Sequence, residues 1–293
     1  MTGLEKRSAM TNKLFITGAS SYLAHRLISI ASEYGEVVGV ARSARSVVQP
    51  AKAIALDLTD QLAIEKNIEE VHPTAIIHAA AVNPGAGDAL MNAVNHEASA
   101  LLASIAARLG VRFVMVSSES VYSGNDAPYT DDSPADPINL YGKSKAAGEQ
   151  AVLAINPAAA IVRTSLIYGL EMMDRGTEGF VERLAKGEPL VLFDDVLRQP
   201  IWVDDLSHAL CKLATEFTHT RGTLNVVGDE VMSRAEFGLA MLKHWGIETS
   251  GNVTLKSGKA FEGVQMDLRC RCDVAKSLGL SLSGVSEVLK KAT

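Results

Sequence analysis

Lys-Leu-Phe-Ile-Thr-Gly-Ala-Ser-Ser-Tyr-Leu-Ala, residues 13–24, is the stretch from which the rest of the chain is read. Lys13 to Thr17 is a short apolar run that predicts a strand, Gly18 breaks it, and Tyr22 opens a pattern that predicts a helix to about Ser32. Strand, tight glycine turn and helix bring the free N–H groups of a helix N-terminus to where a pyrophosphate can bind. Of the three glycines in the usual dinucleotide fingerprint, only Gly18 is kept; Ser21 and Ala24 stand at the other two positions. Ala24 still allows close helix–strand packing. Ser21 places a side chain where backbone would approach the phosphates, and its hydroxyl offers a donor instead.

The alternation continues outward from this unit. A strand over Glu36–Ala41 ends in Arg42-Ser43-Ala44-Arg45. An NAD site calls for a carboxylate roughly 20 residues past the first glycine. Residues 37–48 hold no acid and two arginines, which suits the 2′-phosphate of NADP, with Arg42 and Ser43 as its ligands. Strands follow at Ala53–Leu56, leading to Asp57-Leu58, and at Thr74–His78, leading to Ala79-Ala80-Ala81, whose small side chains leave room for a flat ligand. His78 reads as structural. A long helix is predicted over Ala89–Leu109, containing Asn95, then a strand at Val111–Val116 that runs into Ser117-Ser118, and another at Ala158–Arg163. A serine at the carboxyl end of such a strand lies where ligands meet parallel sheets. Strands and helices alternating this regularly imply an α/β fold, a doubly wound parallel sheet of Rossmann type. Past about residue 170 the rhythm loosens. The expected organisation is a dinucleotide-binding domain over 11–170 and a small substrate-binding part over 171–293, packed on the first and interleaved with it.

Tyr141-Gly142-Lys143-Ser144-Lys145 opens a helix predicted to run to Ile155. Residues four apart share a helix face, so the Tyr141 hydroxyl and the Lys145 ammonium can meet the same space. A cation there lowers the tyrosine pKa from about 10 and fits it for proton transfer near neutral pH. Alone, the pair is equally a solvated helix contact. Its company gives it meaning.

Composition narrows the remaining choices. Across 293 residues, 47% are apolar and 21% charged, with a net charge of −6, which argues against nucleic acid or an acidic membrane as partner. Three cysteines, Cys211, Cys270 and Cys272, give no disulfide framework, and Cys270-Arg271-Cys272 lacks the spacing of a metal site. No apolar run reaches membrane-spanning length and no signal peptide precedes the first strand, so a cytoplasmic protein with a polar tail at residues 1–10 is expected.

Thr17-Gly18, Asp57-Leu58, Ile77-His78-Ala79-Ala80, Asn95, Ser118 with Val121-Tyr122, Pro137 with Asn139, Tyr141-Gly142 and Lys145, Arg163-Thr164-Ser165, and Arg198 with Val203-Asp204-Asp205 occur in this order. As an ordered set they resemble the extended short-chain dehydrogenase/reductases over nearly the whole chain. Pro128-Tyr129 before Asp131-Asp132, and Ala147-Gly148-Glu149, look most like the dTDP-4-dehydrorhamnose reductases and related epimerase/dehydratase proteins. The resemblance implies Tyr141 as general acid and Lys145 as its pKa partner, bonded also to the nicotinamide ribose. It implies Ser118 on the substrate carbonyl, Asn95 at a helix kink within the catalytic set, and Arg198 on the substrate. Gly18, Ser20, Ser21, Tyr22 and Leu23 would line the pyrophosphate, and Asp57 and Leu58 the adenine. The implied function is NADP-dependent reduction of a sugar carbonyl, on a nucleotide-linked 4-keto sugar, by a homodimer paired through the helices of 89–109 and 141–155. Two alternatives share these motifs: a nucleotide-sugar epimerase, and a cofactor-binding regulatory subunit without activity. The Asp-Glu pair that serves dehydratases after the catalytic serine is replaced by Glu119-Ser120, which predicts no dehydratase activity.

Overall fold

The structure, a computed structural model, describes residues 11–83, 85–249 and 251–291; the tail read at residues 1–10 lies outside them. In chain order the first half gives β1 Lys13–Thr17, α1 Tyr22–Ala31, β2 Glu36–Ala41, β3 Lys52–Ala55, α2 Gln61–Val71, β4 Ala75–His78, α3 Asp88–Asn92, α4 Ala98–Leu109, β5 Arg112–Ser118, α5 Leu140–Ile155 and β6 Ala160–Thr164. The second half adds α6 Arg175–Ala185, α7 Val203–Thr215, the strand Gly222–Val226 and α8 Arg234–His244. Gly222–Val226, β6, β5, β4, β1, β2 and β3 lie side by side in that order, every neighbouring pair parallel.

The apolar runs explain this sheet. Side chains alternate across a strand, so Leu14 and Ile16 enter one core and Phe15 the other. Leu14 and Ile16 meet Leu27 and Ile28 of α1 and Leu206 and Leu210 of α7. Phe15 meets Ile64 and Ile68 of α2 and Leu102 and Ala106 of α4. With both faces covered, the strands read as continuous apolar segments rather than alternating ones. The parallel arrangement brings Thr17, Ala41, His78, Ser118 and Thr164 to the same edge.

The sheet draws on both halves of the chain. Gly222–Val226 extends it beyond β6, and α7 lies against α1, tied by a two-pronged ion pair from Arg26 to Asp204 at 2.7 and 2.6 Å. Asp205 beside it accepts from the Ser283 N–H at 2.7 Å. The Val203-Asp204-Asp205 motif therefore docks elements together. The remaining part, with α6, α8 and the parallel pair Leu190–Phe193 and Val253–Lys256, builds two smaller cores around Phe237 and Met241 and around Leu192 and Leu242. Among the described residues no helix is long and apolar enough to cross a membrane.

The helix predicted over Ala89–Leu109 is not continuous: α3 and α4 are separated by a wider π turn at Ala93–Glu97, where the resemblance implied a kink at Asn95. Asn95 sits at its centre, fully buried, and α5 presses against it so closely that a Cβ on Gly148 would stand 2.2 Å from the Asn95 carbonyl oxygen. Amphipathic spacing reads through a single extra residue in a turn, so the kink follows from the resemblance and not from the hydrophobic pattern.

Candidate active site

A cavity of about 1100 Å³ opens along the carboxyl edge of the sheet. Its amino-terminal wall is the turn after β1. Gly18 takes φ +73°, and a Cβ there would lie 2.8 Å from the backbone of Ala80, so this turn requires glycine both for its conformation and for its approach to β4. The Ser21 hydroxyl turns to cap α1, accepting from the Ala24 N–H at 3.3 Å. The side chain that replaces the second glycine thus serves the helix while still lining the cavity, together with Gly18, Ser20, Tyr22 and Leu23. The Tyr22 hydroxyl crosses to the Met172 carbonyl at 3.1 Å and joins this wall to the segment before α6.

Arg42, Asp57, Leu58 and Ala79-Ala80-Ala81 also line the cavity; Ser43 does not. Asp57 is held by Thr59, from both its N–H at 2.9 Å and its hydroxyl at 2.8 Å. These bonds lower the carboxyl pKa, and Arg42 nearby lowers it further. Asp57 thus lies beside Arg42 at this end of the cavity. The helix N-terminus, the close-packed Gly18–Ala80 cradle and an exposed arginine suit a dinucleotide carrying phosphate.

The opposite wall carries β5 and α5. Asn139 caps α5, accepting from the Gly142 N–H at 2.7 Å, and a Cβ on Gly142 would stand 2.1 Å from the Ser120 carbonyl oxygen. The helix start can therefore settle onto the Ser118–Ser120 turn, which sets the Tyr141 hydroxyl against the Ser118 hydroxyl. Lys145, one turn on, is 1% exposed, and its ammonium donates to the Val116 carbonyl at 2.8 Å. Ser118, Tyr141 and Lys145 all face the cavity.

Electrostatics at this point depart from expectation. Tyr141 has its pKa raised by burial, the Ser118 hydrogen bond opposing; Lys145 does not pull it down. The lysine is itself desolvated, its pKa lowered to about 8 against the favourable charge of Glu149, and its ammonium is turned to a backbone carbonyl. In this state Tyr141 holds its proton at neutral pH.

Beneath the site lies a buried polar framework. Glu149 receives the Ser117 hydroxyl and a forked contact from Arg163, with 2.7 Å between Glu149 Oε2 and an Arg163 terminal nitrogen. Arg163 also donates to the Tyr122 hydroxyl and the Ser133 carbonyl. His78 bonds Thr17 and Ser99 at 2.7 and 2.9 Å, and burial brings its pKa down to about 3, with Lys145 adding to the effect. It is a neutral structural group, as the sequence indicated. Asn95, assigned to the catalytic set, does not line the cavity. Its amide exchanges two bonds with the Val82 backbone and donates to Ser144, so it positions the Ala81–Val82 edge and α5.

At the carboxyl-terminal end of the cavity, Arg198 also departs from its expected place. Its three guanidinium nitrogens go to Glu119 at 3.3 Å, the Leu197 carbonyl at 2.6 Å and the Gln265 carbonyl at 2.8 Å, and it lies outside the main cavity wall. Glu119 does line the cavity. Burial raises its pKa to about 7, opposed by Arg198 and by the neighbouring Ser165 hydroxyl. Arg234, which the motif reading passed over, lines the same end. The Ser233-x-x-Glu236 capping box marks the start of α8 in the sequence and was the available signal for its place.

A parallel seven-stranded sheet with a glycine turn at one wall and Ser118, Tyr141 and Lys145 at the other defines an extended short-chain dehydrogenase/reductase. Within that class, the chain belongs to the RmlD substrate binding domain family, whose pattern matches residues 12–265. Methionine adenosyltransferase 2 subunit beta of Xenopus laevis is 32% identical over 216 residues, 67% of this chain and 61% of that protein, so the chain matches less than two thirds of its length. The dTDP-4-dehydrorhamnose reductase of Mycobacterium tuberculosis is 32% identical over 248 residues, 81% of this chain and 77% of that one. The fold matches a dTDP-4-dehydrorhamnose reductase of Bacillus anthracis, solved in complex with NADP, with a TM-score of 0.81 and 24% identity over 96% of this chain and 98% of that one.

Proposed function

We propose that this chain is an NADP-dependent reductase of a sugar carbonyl, carried on a nucleotide-linked 4-keto sugar, with Tyr141 as the proton donor. The observation that carries the reading is the meeting of Ser118, Tyr141 and Lys145 on one cavity wall, opposite a phosphate-binding turn. When bound, the nicotinamide supplies the hydride. The chain supplies position and the proton. Ser118 holds the carbonyl oxygen, and Tyr141, kept protonated by burial, gives its proton to that oxygen as charge develops on it. Lys145, a buried cation on α5 bonded to the Val116 carbonyl of β5, stabilises the phenolate that Tyr141 becomes. Arg42 takes the adenosine 2′-phosphate. The relatives named as dTDP-4-keto sugar reductases support the substrate class.

Incubation of the purified chain with NADPH and a panel of 4-keto sugar nucleotides tests this, with NADPH consumption matched to recovery of the reduced sugar. Stoichiometric consumption with at least one of them is expected. Binding of NADPH without turnover of any would contradict it, and would turn attention to the relative named as a subunit of methionine adenosyltransferase.

A further inference from the structure

Four cationic side chains line the main cavity: Arg42, Lys145, Arg175 and Arg234. Arg42 faces Asp57 at the cofactor end, Lys145 is bonded to Val116, and Arg175 lies exposed at the start of α6. Arg234 differs. It is half-buried, stands between the main cavity and a smaller one of about 270 Å³, and its guanidinium makes no hydrogen bond or ion pair among the described residues. Its backbone is fixed: the Arg234 N–H donates to Val196 at 2.9 Å, and the reciprocal Ser233–Glu236 capping box sets it as the first residue of α8.

This is a costly place for an unpaired cation. The first turn of a helix carries positive potential. Burial and the neighbouring Arg198 both act against the charge, and only Glu119 and Asp174 favour it. Glu119 is engaged by Arg198 at 3.3 Å, and the Asp174 carboxylate is occupied by the Gly176 and Thr177 N–H groups and the Thr177 hydroxyl. Next to this positive end, the Glu119 carboxylate and the Ser165 hydroxyl lie against each other, buried on the cavity wall, with no further partner for Glu119 Oε2 or Ser165 Oγ among the described residues. Buried polar atoms are satisfied in the great majority of cases. A ligand that completes this corner offers an anionic group to Arg234 and a hydroxyl group to the Glu119–Ser165 pair.

We infer that Arg234 is the residue that takes the phosphate ester of the substrate, and that Arg198, the cation favoured by motif, instead holds Glu119 in place. The inference rests on the reading of the cavity as a sugar-carbonyl site and adds the residue that makes it select phosphorylated over neutral sugars. Two sources share the chemistry, a sugar phosphate and a nucleoside diphosphate.

Calorimetric titration of the full chain, saturated with NADP, distinguishes them with thymidine 5′-diphosphate, uridine 5′-diphosphate, glucose 1-phosphate and glucose as probes. The wild type is expected to bind at least one phosphorylated probe and not glucose; preference for the diphosphates identifies a nucleotide-linked substrate. Arg234→Gln is expected to weaken that binding by about tenfold to a hundredfold, the worth of one charge-assisted hydrogen bond, with NADP affinity retained as the mark of an intact fold. Arg234→Met, which keeps the apolar stem, is the second variant and is expected to behave alike. Diphosphate binding at wild-type strength in either folded variant overturns the inference and leaves the reductase reading intact. Failure of the wild type to bind any phosphorylated probe overturns it as well, while NADPH-dependent turnover of a keto sugar decides the reductase reading separately.

Discussion

At the scale of single residues, the two cations nearest the cofactor give separate predictions. Arg42 is exposed on the cavity wall, where one charge-assisted hydrogen bond to a 2′-phosphate is worth about 1.5–3 kcal/mol. Arg42→Ala should therefore shrink a tenfold-to-hundredfold preference for NADPH and scarcely move NADH affinity. Equal weakening of both cofactors, measured by fluorescence titration, would show that Arg42 does not read the phosphate. Lys145 has its pKa lowered to about 8 by burial. Its ammonium is present below that pH and lost above it, so kcat/KM for carbonyl reduction should fall as pH rises through about 8. A profile flat from about pH 7 to 10 would contradict a charged role for Lys145. Residue identities at the site were largely legible from the sequence: Ser118, Tyr141, Lys145, Arg42 and the glycine turn all reach the cavity. The errors concern state and partners. Spacing places Lys145 near Tyr141 but cannot tell that its ammonium turns to Val116, or that Arg198 is already occupied by Glu119.

At the scale of elements, α5 is the joint of the site. Its glycines let it approach the Ser118–Ser120 turn at one point and the Asn95 carbonyl at another, and Glu149 anchors it to Arg163 of β6. Glu149 and Arg163 are 4% and 5% exposed. Removing one partner leaves the other as a buried, uncompensated charge, at a cost of about 3–5 kcal/mol. Glu149→Ala should show that loss in urea unfolding; a loss below about 1 kcal/mol would mean that Tyr122 and Ser133 suffice to hold Arg163. Strand positions were readable because both faces of the sheet are buried, which leaves short apolar runs bounded by turns. The π turn at Ala93–Glu97 was implied at Asn95 by the resemblance but not by the apolar spacing, since its packing reason lies in the approach of Gly148, far along the chain.

At the scale of the whole molecule, the chain order hid the return of Gly222–Val226 to the sheet and the pairing of Arg26 with Asp204, contacts between distant segments that no local pattern encodes. The outer surface of α4 and α5 keeps Leu109, Leu140 and Ile155 exposed, at 40%, 58% and 43%. A homodimer formed through this face would cover them, and light scattering at micromolar protein should return twice the mass of 31.1 kDa; a monomer mass would refute it. The central proposal is that Tyr141 protonates a carbonyl oxygen in this cavity. Steady-state NADPH oxidation by wild type and Tyr141→Phe, on whichever 4-keto sugar nucleotide the wild type reduces, is the direct measurement. A loss of kcat of about a hundredfold to ten-thousandfold is expected in the variant, with NADPH affinity unchanged. Turnover by Tyr141→Phe within about threefold of wild type would contradict it.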